Sequence, residues 1–161
     1  MQKQKTYLVT GSAGFIGFHT AKKMLEKGAR VIGVDNFNDY YDVSLKEARN
    51  SELEKFPHFT LYRGDIADVS FVKKVFLENA IDTVCHLAAQ AGVRFSLKEP
   101  YRYIETNLVG FAHVLNEAKD AGIKNFVFAS SSSVYGQALS APFSESASCD
   151  RPLSLYAATK K

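Results

Sequence analysis

The chain is expected to form an α/β fold, a doubly wound parallel sheet in the strand order 3-2-1-4-5. Strands and helices alternate strictly along its 161 residues. The strands are near-continuous apolar runs, as strands buried on both faces are. The unusual turns all fall after the carboxyl ends of strands, where such sheets gather their functional groups.

The first strand, Tyr7-Leu8-Val9, runs into the turn Thr10-Gly11-Ser12-Ala13-Gly14-Phe15-Ile16-Gly17. A helix follows over Phe15–Lys27, with Phe18, Ala21, Met24 and Leu25 on one side and Gly28 as its stop. Strand two, Val31 to Val34, ends in Asp35 and opens the polar, aromatic loop Asn36-Phe37-Asn38-Asp39-Tyr40-Tyr41-Asp42. The charged helix near Ser44 to Lys55 reads as a solvated surface segment. Strand three, Phe59 to Tyr62, leads into Gly64-Asp65-Ile66, and Val69, Val72, Val75 and Phe76 give the next helix its core stripe. Strand four, Thr83 to Leu87, is followed by the small-residue turn Ala88-Ala89-Gln90-Ala91-Gly92. A long helix near Tyr101 to Ala121 carries an expected inward stripe of Ile104, Leu108, Phe111, Leu115 and Ala118. Val109 and Val114 add apolar surface beyond it, which suggests a homodimer through this helix; a monomeric mass in solution would reject that. Strand five, Phe126 to Ala129, ends in the serine run Ser130 to Ser133.

Composition narrows the function classes. A hydrophobic content of 46% suits one well-cored domain spanning 1–161. The formal charge of +3 comes from scattered side chains without a basic stripe, which argues against nucleic acid as a partner. Cys85 and Cys149 form no C-x-x-C pair, so neither a zinc site nor a disulfide scaffold is expected, and no metal is assigned. No apolar run approaches a membrane span. The opening residues 1–5 leave no room for a signal peptide, so a cytoplasmic protein with no membrane partner is the expectation.

Three features carry chemistry. Glycines spaced by three are common in loops, but here a strand precedes them, a helix follows, and an acid stands at the next strand's tip. Gly11 permits a tight turn, Gly14 lets backbone approach a pyrophosphate, and Gly17 lets the helix pack close to the sheet. The opening N–H groups of that helix favour phosphate. Asp35, 18 residues past Gly17, suits a ribose diol. The second feature is Tyr156-Ala157-Ala158-Thr159-Lys160. Residues i and i+4 share a helical face, and a nearby ammonium stabilises a phenolate, which makes Tyr156 a candidate general base. Of the eight tyrosines only this one has Lys four residues on. The third is the serine run, which at the end of a central strand offers a hydroxyl to a ligand rather than forming a mere turn.

Glycine loop, acid, serines and Tyr-x-x-x-Lys, in this order, resemble the extended short-chain dehydrogenase/reductase family, whose Rossmann fingerprint takes the G-x-x-G-x-x-G spacing seen here. The resemblance covers the whole chain and implies NAD as cofactor. The implied contacts are Gly11, Gly14, Phe15, Ile16 and Gly17 in the turn, and Asp35, Asn36 and Asn38 after strand two. They continue with Asp65 and Ile66 beside adenine, then Leu87, Ala88, Ala89 and Gln90, with Thr106, Tyr156 and Lys160 completing the set. Ser131 matches the family's catalytic hydroxyl, with Ser132 as the alternative, beside Tyr156 and Lys160. Within the family the segments 35–42 and 87–94 look most like nucleotide-sugar 4-epimerases, particularly the UDP-glucuronate 4-epimerase group. Sugar 4,6-dehydratases place Thr-Asp-Glu before Val-Tyr-Gly, and sugar-acid decarboxylases carry a Glu there. This chain has Ser131-Ser132-Ser133, with no carboxylate. The implied substrate is a UDP-sugar, with Arg94 as a candidate anion contact, or else a solvated loop arginine. Rival readings are another nucleotide-sugar epimerase or 4-reductase, or a non-catalytic NAD-sensing protein. Family members continue well past the position of Lys161. The chain therefore reads as an N-terminal fragment, lacking the last strands and the substrate domain, with negligible turnover of its own.

Overall fold

The computed structural model describes residues 4–137 and 142–161. Residues 1–3, on which part of the expectation about a leader rests, lie outside the described residues. The chain divides into two compact units, Met1–Ala88 with Gly110–Phe128, and Ala89–Val109 with Ala129–Lys161.

The first unit holds the whole sheet. Strands β1 (Thr6–Thr10), β2 (Arg30–Asp35), β3 (Phe59–Arg63), β4 (Thr83–His86) and β5 (Asn125–Phe128) pair in parallel in the order β3-β2-β1-β4-β5, as the sequence predicts. Successive side chains of a strand point to opposite faces, so each central strand feeds two cores. Leu8, Ile32, Val34 and Val84 meet Val72, Val75 and Phe76 of α3 (Val69–Glu78), together with Val114 and Ala118 of α5 (Phe111–Asp120). Val9 and Val31 meet Ala21 and Leu25 of α1 (Phe15–Glu26) and Leu53 of α2 (Val43–Leu53) on the other face. The edge strands are less covered, with Val127 and Phe128 about half exposed.

Two expectations are corrected. Helix α2 is not a solvated segment: Lys46, Asn50 and Leu53, at helical spacing, are buried. Two of these three are polar, so the apolar pattern gave no sign of an inward face. The long helix also presents a different face. It starts as α4 (Pro100–Tyr103), widens to a π-helical stretch over Ile104–Gly110, and resumes as α5. Tyr103, Asn107, Gly110, Val114 and Ala118 are buried, whereas Ile104, Leu108 and Leu115 are exposed. The outward positions are the more apolar ones, because Gly110 must lie against Ile66, where a Cβ would come within 2.6 Å of that side chain. The inward Asn107 has to satisfy backbone groups. A π stretch also breaks the 3.6-residue period on which a stripe is drawn.

The second unit contains α4, a 3₁₀ turn over Phe95–Leu97, another over Ser132–Tyr135, and α6 (Leu155–Lys160). Tyr103 is fully buried at its centre, with its hydroxyl 2.6 Å from the carbonyl oxygens of both Ala91 and Gly92.

Two glycines fix the first turn. Gly11 takes φ +71°, and a Cβ there would lie 2.8 Å from the Ala88 nitrogen. At Gly17 a Cβ would sit 2.0 Å from the Gly11 carbonyl oxygen. Gly28 is a contrast, since its φ of +80° faces open space. Accordingly Gly28→Ala is expected to cost about 1 kcal/mol, and Gly17→Ala several times that, about 3 kcal/mol or more. Urea unfolding of the two variants checks the ranking, and equal midpoints would contradict it.

Candidate functional site

In the first unit the loops after β1, β2 and β3 meet through hydrogen bonds. The Gly11 and Ser12 N–H groups donate to the Val34 carbonyl at 2.7 and 3.2 Å, which draws the glycine turn across the end of β2. Asp35, only 6% exposed, accepts from the Ala13 N–H at 3.1 Å and from the Phe37 N–H at 2.9 Å. Its second bond bends the chain back so sharply that Phe37 takes φ +52°, the only described non-glycine residue with positive φ. Lys46, equally buried, brings its ammonium to 3.6 Å from the Asp35 carboxylate, donates to Asn38 Oδ1 at 3.0 Å and lies over the Tyr41 ring. A buried charge is stable only when paired and hydrogen-bonded, and this arrangement does both.

Of the other predicted residues of this unit, Asn36 links the loops after β2 and β3. Asn36 donates to Asp65 at 2.9 Å and accepts from the Asn38 N–H at 3.1 Å. Asp65 also accepts from the Ala67 N–H at 2.8 Å, and Ile66 is buried. Leu87 and Ala88 both donate their N–H groups to Thr10 Oγ1 at 3.1 Å, and the same oxygen meets His86 Nδ1 at 3.0 Å. Phe15 and Ile16 open α1 with their side chains exposed at 65% and 62%. Gly14 differs from its two neighbours in the motif, because the nearest atom to a Cβ there is the Gly11 oxygen at 3.1 Å. The fold demands glycine less at this position than at Gly11 or Gly17, leaving a bare backbone that suits a close ligand.

In the second unit Tyr156 and Lys160 lie one turn apart on α6, which Ser154 caps by accepting from the Ala157 N–H at 3.1 Å. This helix packs on the turn Ser132–Tyr135. Lys160 Nζ donates to the Ala129 carbonyl at 3.1 Å, and Ser130 Oγ donates to the Lys160 carbonyl at 2.8 Å. Burial holds the Lys160 ammonium below the usual lysine range. The Tyr156 ring stands edge-on to Tyr103, with centroids 6.1 Å apart. Ser131 caps the 3₁₀ turn, its hydroxyl accepting from the Ser133 N–H at 3.2 Å, whereas Ser132 is exposed. Gln90 is clamped by Asn107, which accepts from its N–H at 2.8 Å and donates to its carbonyl at 3.0 Å. The same Asn107 amide donates to Thr159 at 3.0 Å, tying the turn after β4 to α6. Ala89 and Thr106 are half-buried, and Arg94 is exposed.

Sequence reading missed Lys46, Thr10, Asn107 and Tyr103. Lys46 and Asn107 sit in helices where neighbouring polar residues are solvated, so nothing in the local pattern set them apart.

The sequence model of the family described as GDP-mannose 4,6 dehydratase matches residues 8–161. Protein CapI of Staphylococcus aureus is 51% identical over 154 residues, covering 96% of this chain and 46% of that protein. A UDP-glucuronate 4-epimerase of Thermodesulfobacterium geofontis is 49% identical over 156 residues, covering 96% of this chain and 48% of that protein. Among solved structures, the UDP-glucuronic acid 4-epimerase of Bacillus cereus in complex with UDP-glucuronic acid and NAD superposes with a TM-score of 0.87 at 36% identity, covering 96% of this chain and 48% of that one. The chain thus spans about half the length of the curated relatives it matches. With a sheet of the expected order and a match from β1 to α6, the chain belongs to the GDP-mannose 4,6-dehydratase family.

Proposed function

We propose that the full-length protein carrying this chain is an NAD-dependent 4-epimerase of UDP-sugars, with UDP-glucuronate as its substrate. The observation that carries this reading is the pairing of Tyr156 and Lys160 on α6 beside a serine turn that holds no carboxylate. Relatives that are UDP-glucuronate 4-epimerases, at about half identity, support the choice of sugar. The family takes its name from a dehydratase, but eliminating water needs an extra acid and base, and Ser131-Ser132-Ser133 supply neither.

The residues present fit NAD. A bare backbone at Gly14, the opening N–H groups at Phe15 and Ile16, and the buried Asp35 carboxylate suit a pyrophosphate and a ribose diol. Asn36, Asn38, Asp65 and Ile66 would border the adenosine half. Leu87, Ala88, Ala89, Gln90, Thr106, Tyr156 and Lys160 complete the proposed contacts. When bound, NAD supplies reversible acceptance of a hydride from the sugar C4.

The chain's own side chains handle the proton. Tyr156 takes it from the C4 hydroxyl as a phenolate, and the Lys160 ammonium stabilises that form. Ser131 hydrogen-bonds the same oxygen; its bond to the Ser133 N–H fixes it in place, which favours it over the exposed Ser132. Tyr103 limits the swing of the Tyr156 ring, and Arg94 offers a cation to the nucleotide or the sugar acid. Once the 4-keto sugar has turned over, Tyr156 returns the proton to the C4 oxygen, giving the hydroxyl of the opposite epimer. Residues 1–161 are the N-terminal portion of the NAD-binding domain in this reading, and the isolated piece turns over negligibly. It includes a homodimer built on the helical run Pro100–Asp120, where Tyr101, Ile104 and Leu108 are exposed, and a cytoplasmic location. No described helix is long and apolar enough to cross a membrane.

Incubating the full-length protein with NAD and a panel of UDP-sugars, then separating the products, tests the reading. The expected product is the C4 epimer of UDP-glucuronate with no net change in NAD⁺; net formation of NADH, or net consumption of NADH in a parallel incubation supplied with it, would overturn the reading. Lys160 gives a second check. Its folded pKa is depressed, so its charged form opposes folding at neutral pH, and the opposition fades as pH rises through that value. Lys160→Met is therefore expected to lose about 100-fold or more in turnover. Its melting temperature relative to the parent should be highest near neutral pH and fall toward pH 10. A constant difference across pH would contradict the assignment of a strained ammonium.

A further inference from the structure

We propose that Asp35 masks a latent anion site made by Lys46 and Arg49, and that the chain rejects a 2′-phosphorylated dinucleotide because Asp35 keeps Lys46 engaged. The inference rests on the reading that NAD binds at the glycine turn, and it deepens that reading to the choice between two cofactors. Two charged groups meet the backbone of Ala13, and a third pairs with one of them. Asp35 accepts from the Ala13 N–H at 3.1 Å, Arg49 donates to the Ala13 carbonyl at 3.4 Å, and Lys46 lies 3.6 Å from Asp35. Lys46 and Arg49 are three residues apart on α2 and share a helical face, from which Lys46 reaches Asp35 and Arg49 reaches Ala13 in the glycine turn.

Among the described residues, Arg49 is held by aromatic surface and pairs with no acid. Its guanidinium stacks at 5.9 Å from the Phe15 ring and 6.0 Å from the Tyr41 ring, and it donates to the Tyr41 hydroxyl at 3.4 Å. Lys46 pairs with Asp35, and both side chains are 6% exposed. An ammonium buried this deeply needs a counter-charge. With Asp35 neutralised, Lys46 keeps the Asn38 oxygen and the face of Tyr41, neither of which carries a full negative charge. A phosphate on the ribose that Asp35 now serves would restore the lost charge and could also meet Arg49. Simple repulsion by Asp35 predicts that removing the acid permits the phosphate whether or not Lys46 is present. Masking predicts that the gain requires Lys46.

The test is calorimetric titration of the full-length protein with NAD⁺ and NADP⁺, with no turnover involved. The parent is expected to bind NAD⁺ and to show no NADP⁺ binding at matched concentration. Asp35→Ser and the near-isosteric Asp35→Asn should each gain NADP⁺ affinity by about ten-fold or more, and adding Lys46→Met should abolish most of the gain. Asp35→Asn carries the test if Asp35→Ser does not fold, since the amide oxygen can still accept from the Ala13 or Phe37 N–H. A gain that survives Lys46→Met overturns masking, as does the absence of any gain while the parent binds NAD⁺. A parent that fails to bind NAD⁺ overturns the underlying reading of the site as well.

Discussion

A carboxylate buried at the tip of β2 has to be satisfied, and much of the first unit's loop structure follows from that demand. Asp35 is 6% exposed and cannot draw on water for its partners. The Ala13 N–H fixes the glycine turn to it, the Phe37 N–H folds the following loop back at positive φ, and Lys46 brings α2 inward. The sheet supplies the platform: β2 places Asp35 beside the end of β1 because Thr10 pairs with Val34 in the ladder. A group that binds at this point meets side chains already fixed by the fold, so little ordering is left to pay for on binding.

The glycine turn shows how packing and binding demands separate within one motif. Gly11 and Gly17 are required by the fold, since each lies too near backbone for a Cβ. Gly14 is required much less, and its openness is what a pyrophosphate would use. In the second unit Asn107 plays a comparable organising part. It clamps Gln90 on one side and reaches Thr159 on the other, beside Lys160. Asn107 lies within the π-helical stretch Ile104–Gly110, and such stretches occur frequently at functional sites.

Much of this was legible in the residues. Continuous apolar strands gave the parallel sheet and its order, and the glycine spacing with Asp35 gave the first turn. The failures share a cause. Lys46 and Asn107 are polar groups buried by pairing, which composition and periodicity treat as solvated. The long helix was assigned the wrong face because Ile104, Leu108 and Leu115 are more apolar than Asn107 and Gly110, which the packing turns inward. Apolar content reports which face is hydrophobic, and that need not be the face buried within the chain.

In the proposed reaction a hydrogen leaves C4 of a UDP-sugar and comes back to the same carbon, with Tyr156 moving only the hydroxyl proton. Carrying out the reaction of the full-length protein on UDP-glucuronate deuterated at C4, in ordinary water, tests this most directly. The epimer is expected to keep the deuterium at C4. Loss of the label to solvent would contradict it, because the carbon-bound hydrogen would then have been exchanged as a proton rather than returned.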